Sequence, residues 1–146
     1  MNETILRFGY PETLIARYEH WVVLLRPAQP TLGALVLAST SEALRFSDLP
    51  PEAFAELRLA VGDIETALEA AVRYERINYL MLMMVDPHVH WHVLPRYEGS
   101  REAEGIKVAD AGWPKAPQLG EAIALEPEQI ASLGGWLRGH WPTRSG

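Results

Sequence analysis

The alternation of apolar and polar positions predicts a β-hairpin followed by one long helix. Trp21–Leu25 and Ala34–Ala38 are short apolar runs separated by a turn that contains proline and glycine. Two such runs are typical of paired, buried strands. From Pro51 to Val72 apolar residues recur at steps of three and four, and a proline suits the first helical position. This spacing predicts an amphipathic helix of roughly two dozen residues or slightly fewer.

The second half of the chain is predicted to complete the sheet and to add a shorter helix. Ile77–Val85 is apolar at both alternating sets of positions, which favours a central strand covered on both faces. Val89–Leu94 is a further predicted strand, Glu98–Gly120 a long loop, and Glu128–Leu137 a short C-terminal helix. This order of elements predicts an α+β fold with a mostly antiparallel sheet.

Composition restricts the kind of protein. The 146 residues fit a single domain (1–146), and a hydrophobic fraction of 48% is sufficient for a core. The net charge of -6 argues against a nucleic-acid polymer or an anionic membrane as the partner, since both select basic surfaces. The chain has no cysteine and no apolar run long enough to span a bilayer. We therefore expect a soluble cytoplasmic protein without disulfides.

Three of the five histidines lie at alternate positions of the last predicted strand: His88, His90 and His92. Side chains alternate along a strand, so all three imidazoles share one face, while Val89 and Trp91 point into the core. A row of imidazoles stabilises a sheet poorly, because the rings fit an apolar interior badly and repel one another when charged. The spacing therefore indicates chemistry.

The residues alone leave three interpretations of this row open. Imidazole is a common metal ligand, and Asp86 lies nearby, but His20 and His140 are remote in sequence and are expected at the surface. Neutral imidazole is also a good nucleophile near pH 7, which suits covalent phosphoryl chemistry. The third interpretation is a structural or exposed histidine cluster.

The surrounding sequence resembles the histidine-triad (HIT) family. His88-Val89-His90-Trp91-His92-Val93-Leu94 matches the signature His-φ-His-φ-His-φ-φ, where φ is apolar, and Pro95-Arg96 follows it. Upstream, Leu25-Arg26-Pro27, the second apolar run and the long helix occur in the order that is usual for this family. The resemblance covers the core over about residues 21–97, leaves a C-terminal loop and helix as an extension, and is greatest to the bacterial branch similar to diadenosine tetraphosphate hydrolases.

This resemblance implies a fold and an activity. The fold would be an antiparallel sheet with one long helix and a C-terminal helix, assembled as a homodimer. His90 would attack the α-phosphate of a nucleotide, His88 would support it, and His92 would hold phosphate oxygens or assist the leaving group. The implied substrates of this hydrolase or transferase are dinucleoside polyphosphates, such as diadenosine tetraphosphate, and nucleoside phosphoramidates. The chemistry needs no metal or other cofactor.

Departures from the family pattern favour an alternative. Many relatives carry a Gly-rich loop with a polar residue where Val85-Asp86-Pro87 stands, and a bacterial group has Gly-Asn where Met83-Met84 stands. A phosphate contact is therefore expected to be lost. The alternative is a non-catalytic, regulatory nucleotide-binding dimer that has kept the triad.

Two further residues are candidates for substrate binding. Arg26 falls near the ribose-binding position of the family and either meets phosphate or lies at the surface. Asn78 lies in an apolar strand, so it is either a hydrogen-bonded structural residue or a ligand contact. The methionines at 81, 83 and 84 are expected either to line a pocket for the base or to pack in the core. The tryptophans at 113, 136 and 141 are expected either to form a lid or a dimer contact, or to anchor loops and termini.

Overall fold

A five-stranded antiparallel sheet forms the centre of the computed structural model, which describes residues 1–143. The strand order is β1-β2-β4-β6-β5. In chain order, the helices and strands are α1 (Glu3–Arg7), β1 (Leu14–Arg17), β2 (Trp21–Leu25), β3 (Ala28–Gln29), β4 (Leu35–Ser39), α2 (Pro51–Val72), β5 (Arg76–Leu80), β6 (His90–Arg96), β7 (Ser100–Ala103), β8 (Ile106–Ala109), β9 (Ile123–Ala124) and α3 (Pro127–His140).

The predicted hairpin of β2 and β4 is confirmed, and every residue of both strands is buried. β6 pairs with the other side of β4, which places His90 opposite Ala38 and His92 opposite Val36. Partners in an antiparallel pair share a face of the sheet. The two histidines therefore lie on the face that carries Val36 and Ala38.

The two faces of the sheet are covered differently. One face packs against α2 and α3 in the main hydrophobic core, which includes Trp21, Val23, Leu35, Leu37, Ile64, Leu68, Val93, Leu133 and Leu137. The histidine face packs against α1 in a smaller cluster, which includes Ile5, Val22, Leu24, Val36 and Ala38. Burial of both faces explains why β2 is apolar at every position and β4 at every position before Ser39.

The long helix is confirmed as α2, with Pro51 in its first turn and Arg73 ending it in the left-handed conformation at a φ of 54°. α3 extends beyond the predicted Glu128–Leu137 at both ends. Its first turn is stabilised by a capping box. The Glu126 side chain accepts the backbone N–H of Gln129, and the Gln129 side chain accepts the backbone N–H of Glu126. This cap was not recognised in the sequence.

No helix among residues 1–143 is both long and apolar enough to cross a membrane.

The predicted central strand Ile77–Val85 is wrong in position and length. β5 ends at Leu80 and lies at the edge of the sheet, paired only with β6 among the described strands. Its apolar side chains Ile77 and Tyr79 pack against the main core, as do Met81 and Met83 of the following segment. The apolar run is therefore explained by one covered face and a packed loop, not by a strand buried on both sides.

Two segments contain structure that the sequence analysis did not predict. The loop Glu98–Gly120 includes the hairpin of β7 and β8, whose turn places Glu104 and Gly105 at φ values of 53° and 73°. Such positive φ values at two successive turn residues match the twist of a hairpin. The N-terminal segment forms α1 and β1, and α1 is capped by Asn2, whose side chain accepts a hydrogen bond from the backbone N–H of Ile5.

Candidate active site

The three histidines of the motif lie together beneath α1. His90 and His92 belong to β6 and His88 immediately precedes it, and their residue exposures are 2%, 7% and 8%. Val89 and Trp91 belong to the opposite side and pack in the main core, as strand alternation predicts. The ring centroids of His90 and His92 are 5.1 Å apart.

His90 is held in one tautomer by the backbone. Its Nδ1 lies 2.7 Å from the carbonyl oxygen of His88. A carbonyl oxygen only accepts hydrogen bonds, so we assign the ring hydrogen to Nδ1. The lone pair of a neutral His90 is then on Nε2, which is the atom available for nucleophilic attack.

His92 is held by a side chain. The Nε–H group of Arg26 donates to Nδ1 of His92 over 3.3 Å, and Nη1 of Arg26 donates to the carbonyl oxygen of Ala28 over 2.6 Å. Burial, the charge of Arg26 and the neighbouring His90 lower the pKa of His92 to about 4, with Asp86 acting in the opposite direction. His92 is therefore a neutral imidazole near pH 7, with its hydrogen on Nε2.

His88 is held by α1 and by an exposed carboxylate. Its Nδ1 lies 2.8 Å from Oγ1 of Thr4, and its backbone N–H donates to the same oxygen over 3.3 Å. Its Nε2 lies 3.2 Å from Oε2 of Glu42, whose side chain is largely exposed. His88 thus connects α1 to β6, and its own carbonyl orients His90.

A cavity of about 250 Å³ opens beside the two histidines of β6. Phe8 forms one wall, with its ring centroid 5.7 Å from that of His90 and 5.6 Å from that of His92. The other lining residues are Arg26, His90, His92 and the run Leu82, Met83, Met84, Val85 and Asp86. The carboxylate of Asp86 is paired with Arg7 over 3.0 Å. The cavity therefore combines two imidazoles and one guanidinium with an apolar loop.

The two candidate substrate-binding residues are placed differently. Arg26 lines the cavity, as the first of its two interpretations requires. Asn78 is not among the lining residues, and its Oδ1 accepts a hydrogen bond from Nη1 of Arg96 over 2.8 Å. Arg96 is buried and also forms a double hydrogen bond with Asp110. This placement fits the structural interpretation of Asn78, and a contact between Asn78 and ligand stays a prediction without support from the geometry.

The methionines and tryptophans mostly have the structural placements. Met83 and Met84 line the cavity, and Met81 and Met83 pack against the main core. Trp136 and Trp141 also pack against that core, and Nε1 of Trp141 donates to the hydroxyl of Tyr18 over 3.1 Å. These two tryptophans anchor the C-terminal helix to the body of the protein.

The N-terminal residues Thr4 and Phe8 were missed as parts of the site, as was Glu42. The only signal for α1 in the sequence is the short polar Asn2 three residues before Ile5, which is a common N-cap arrangement. Nothing in the sequence indicates that this helix packs on the histidines. Within residues 1–143, no group of three or more His, Asp or Glu side chains is arranged to hold a metal ion.

Several solved structures share this fold at low sequence identity. A histidine-triad protein from Sinorhizobium meliloti is 21% identical, covers 96% of this chain and 95% of its own, and has a TM-score of 0.74. A histidine-triad protein from Bradyrhizobium japonicum is 17% identical, with coverages of 97% and 96% and a TM-score of 0.73. The diadenosine triphosphate hydrolase of Plasmodium falciparum is 10% identical, with coverages of 89% and 76% and a TM-score of 0.65. The chain therefore has the histidine-triad fold.

The family assignment comes from the sequence. The model of the HIT domain matches residues 9–99, which include the whole His88–Leu94 motif. The chain belongs to the HIT domain family. No curated protein matches it significantly.

Proposed function

We propose that this protein is a nucleotide hydrolase or transferase that breaks phosphoanhydride or phosphoramidate bonds through a covalent nucleotidyl-histidine. The observation that carries this proposal is the orientation of His90. Its Nδ1 is bound to the carbonyl oxygen of His88, and the ring lines a cavity shared with His92 and Arg26. Nε2 is thus a prepared nucleophile in a site with donors for phosphate oxygens.

The proposed reaction has two steps. Nε2 of His90 attacks the α-phosphorus, and the bond between phosphorus and the leaving group breaks. The positive charge that develops on the His90 ring is stabilised by the hydrogen bond from Nδ1 to the carbonyl of His88. Water or another acceptor then attacks phosphorus, the bond to Nε2 breaks, and the nucleoside monophosphate is released. The Nε2–H group of His92, which Arg26 orients, donates to the phosphate oxygens and offsets their charge.

Release of nucleoside monophosphate from a panel of dinucleoside polyphosphates and nucleoside phosphoramidates tests the proposal. We expect turnover by the wild type and a loss of at least roughly 1,000-fold in His90→Ala. His20→Ala removes a histidine outside the cavity and is the matched control, with activity unchanged. Circular dichroism of both variants checks that the fold is retained. Equal activity in His90→Ala and the wild type would contradict the proposal.

A non-catalytic, regulatory nucleotide-binding role is the second candidate, and the loop of the cavity favours it. Leu82, Met83, Met84 and Val85 line the cavity where the family pattern places polar phosphate contacts. This candidate predicts that nucleotide binds, as measured by isothermal titration calorimetry, while none of the panel releases monophosphate. Binding that is followed by release supports the enzyme instead.

We also propose that the protein acts as a homodimer, as the family resemblance implies. β5 is an edge strand with no second partner among the described strands, so its outer edge is open to a neighbouring copy. Light scattering after size-exclusion chromatography should give about twice the chain mass of 16.3 kDa. A mass equal to that of one chain would contradict this assignment.

A further inference from the structure

The contact between Arg26 and His92 restricts the protonation state of the site. Nε of Arg26 lies 3.3 Å from Nδ1 of His92, and its Nη1 is fixed by the carbonyl of Ala28 over 2.6 Å. Arginine does not give up its hydrogens in a protein, so Nδ1 of His92 must be the acceptor. His92 therefore has one hydrogen, on Nε2, and is uncharged.

The other groups around His92 do not reverse this assignment. Phe8 packs edge-on against the ring, with centroids 5.6 Å apart, and gives no charge. The remaining titratable neighbours are His90 and Asp86, and the Asp86 carboxylate is paired with Arg7 over 3.0 Å. Arg26 is thus the charged group in direct contact with the His92 ring.

A neutral His92 can donate a hydrogen bond from Nε2 but cannot complete a proton transfer. Loss of the Nε2 hydrogen would leave an imidazolate anion, which is far too basic near pH 7. Neutral histidine is a known device for polarising oxygen without protonating it. His92 therefore stabilises negative charge on oxygen and does not deliver a proton to a leaving group.

We propose that Arg26 holds His92 as a neutral hydrogen-bond donor, and that the substrates are consequently anhydrides of a nucleoside monophosphate with a phosphate or carboxylate. This inference rests on the proposed function of the triad and narrows its substrates. Phosphate and carboxylate depart as stable anions, whereas an amine departs from phosphorus only after gaining a proton. Arg26 was a candidate for substrate binding. In this proposal it acts on the substrate through His92 and is therefore a positioning residue.

The first step of the proposed reaction needs no proton donor. The lone pair on Nε2 of His90 forms the bond to phosphorus, and the electron pair of the bond from phosphorus to the bridging oxygen stays on that oxygen. Nε2 of His92 donates a hydrogen bond to the departing oxyanion. Water then bonds to phosphorus and releases one proton to the solvent, and the electron pair of the phosphorus–nitrogen bond returns to His90.

The protonation state can be measured without any activity. The ¹⁵N chemical shifts of the His92 ring nitrogens report both the tautomer and the charge. We expect a neutral ring with its hydrogen on Nε2 from pH 7 down to pH 5 in the wild type. In Arg26→Gln the ring should titrate at a higher pH, while Arg58→Gln, which removes an exposed charge from α2, should leave it unchanged. A charged His92 ring, or a hydrogen on Nδ1, in the wild type at pH 7 would overturn the assignment.

The substrate class is tested with aryl esters of adenosine monophosphate that differ only in the acidity of the phenol. The 4-nitrophenyl ester needs no proton donor and the phenyl ester benefits from one. We expect the wild type to release 4-nitrophenol roughly 100-fold faster than phenol or more, and Arg26→Gln to narrow that ratio. Likewise, the wild type should turn over an anhydride faster than a matched alkyl phosphoramidate.

The outcomes separate this inference from the proposed function. If 4-nitrophenol is released by the wild type and not by His90→Ala, the triad is catalytic. Comparable wild-type turnover of the phenyl ester or the alkyl phosphoramidate then overturns the anhydride assignment alone. If no ester or anhydride reacts, both the catalytic role and its substrate class are wrong, and the ¹⁵N measurement still decides the protonation state that Arg26 imposes.

Discussion

Thr4 and His88 are 84 positions apart in the chain, and their side chains meet over 2.8 Å between Oγ1 and Nδ1. Oγ1 also accepts the backbone N–H of His88 over 3.3 Å. One hydroxyl thus fixes both the ring and the backbone of the first histidine in the motif. Because the carbonyl of His88 orients His90, α1 supports the row of histidines.

Thr4→Val should destabilise the protein and loosen His88. The substitution keeps the shape of the side chain but leaves a buried N–H and a buried ring nitrogen without their partner, which costs about 1–3 kcal/mol. The free energy of unfolding in urea measures this change. Thr66→Val, at an exposed position of α2, is the control and should change it by less than about 0.5 kcal/mol. Equal effects of the two substitutions would contradict this role of Thr4.

The lowered pKa of His92 predicts a loss of stability in acid. In the unfolded chain His92 takes up a proton as the pH falls through its ordinary value of 6.5, whereas the folded protein resists this until about pH 4. The unfolded state therefore binds more protons between these values, and the free energy of unfolding falls as the pH is lowered from 6.5 to 4.

Urea unfolding at several pH values between 7 and 4 measures this effect. Other titratable groups also change the free energy of unfolding with pH, so the wild type is compared with His92→Gln. In this variant the free energy of unfolding should fall less steeply over the same pH interval. Parallel declines in the wild type and this variant would mean that the pKa of His92 is not lowered by folding.

Gly33→Ala should destabilise the turn that leads into β4. Gly33 has a φ of 91°, and a Cβ atom there would lie 2.9 Å from Cγ2 of Val72 and 3.3 Å from Cδ2 of Leu68. Backbone strain and this overlap together are expected to lower the free energy of unfolding by about 1–3 kcal/mol.

Gly62 provides the matched comparison for this glycine. It lies within α2, and a Cβ atom there would meet nothing within 4 Å. Gly62→Ala should therefore raise the free energy of unfolding by roughly 0.5–1 kcal/mol, because alanine favours the helix. Thermal or urea unfolding of both variants tests the pair, and a stabilising Gly33→Ala would show that the turn tolerates a side chain.

The sequence predicted the features that depend on local periodicity. The three- and four-residue spacing gave α2, and the alternation around His90 correctly separated the imidazoles from Val89 and Trp91. The position of β5 at the sheet edge was missed, because an apolar run does not reveal whether it is buried by two layers or by one layer and a loop.

The support of the site depends on contacts between distant parts of the chain. The contacts of Thr4 with His88 and of Phe8 with His92 join the N-terminus to β6, and no local pattern encodes such pairings. Arg26 could be recognised as a candidate from its place after β2, but its hydrogen bond to His92 could not. The direction of that guanidinium depends on the Ala28 carbonyl and on the register between β2, β4 and β6.

The most direct test of the account is to identify the residue that carries the nucleotide during turnover. The wild type is mixed with a reactive nucleotide substrate, quenched in alkali to preserve the phosphorus–nitrogen bond, and analysed by peptide mass spectrometry. We expect one nucleoside monophosphate on His90, and none in His90→Asn, which keeps a donor for the carbonyl of His88. An adduct on another residue, or monophosphate release that continues in His90→Asn, would contradict the assignment of His90 as the nucleophile.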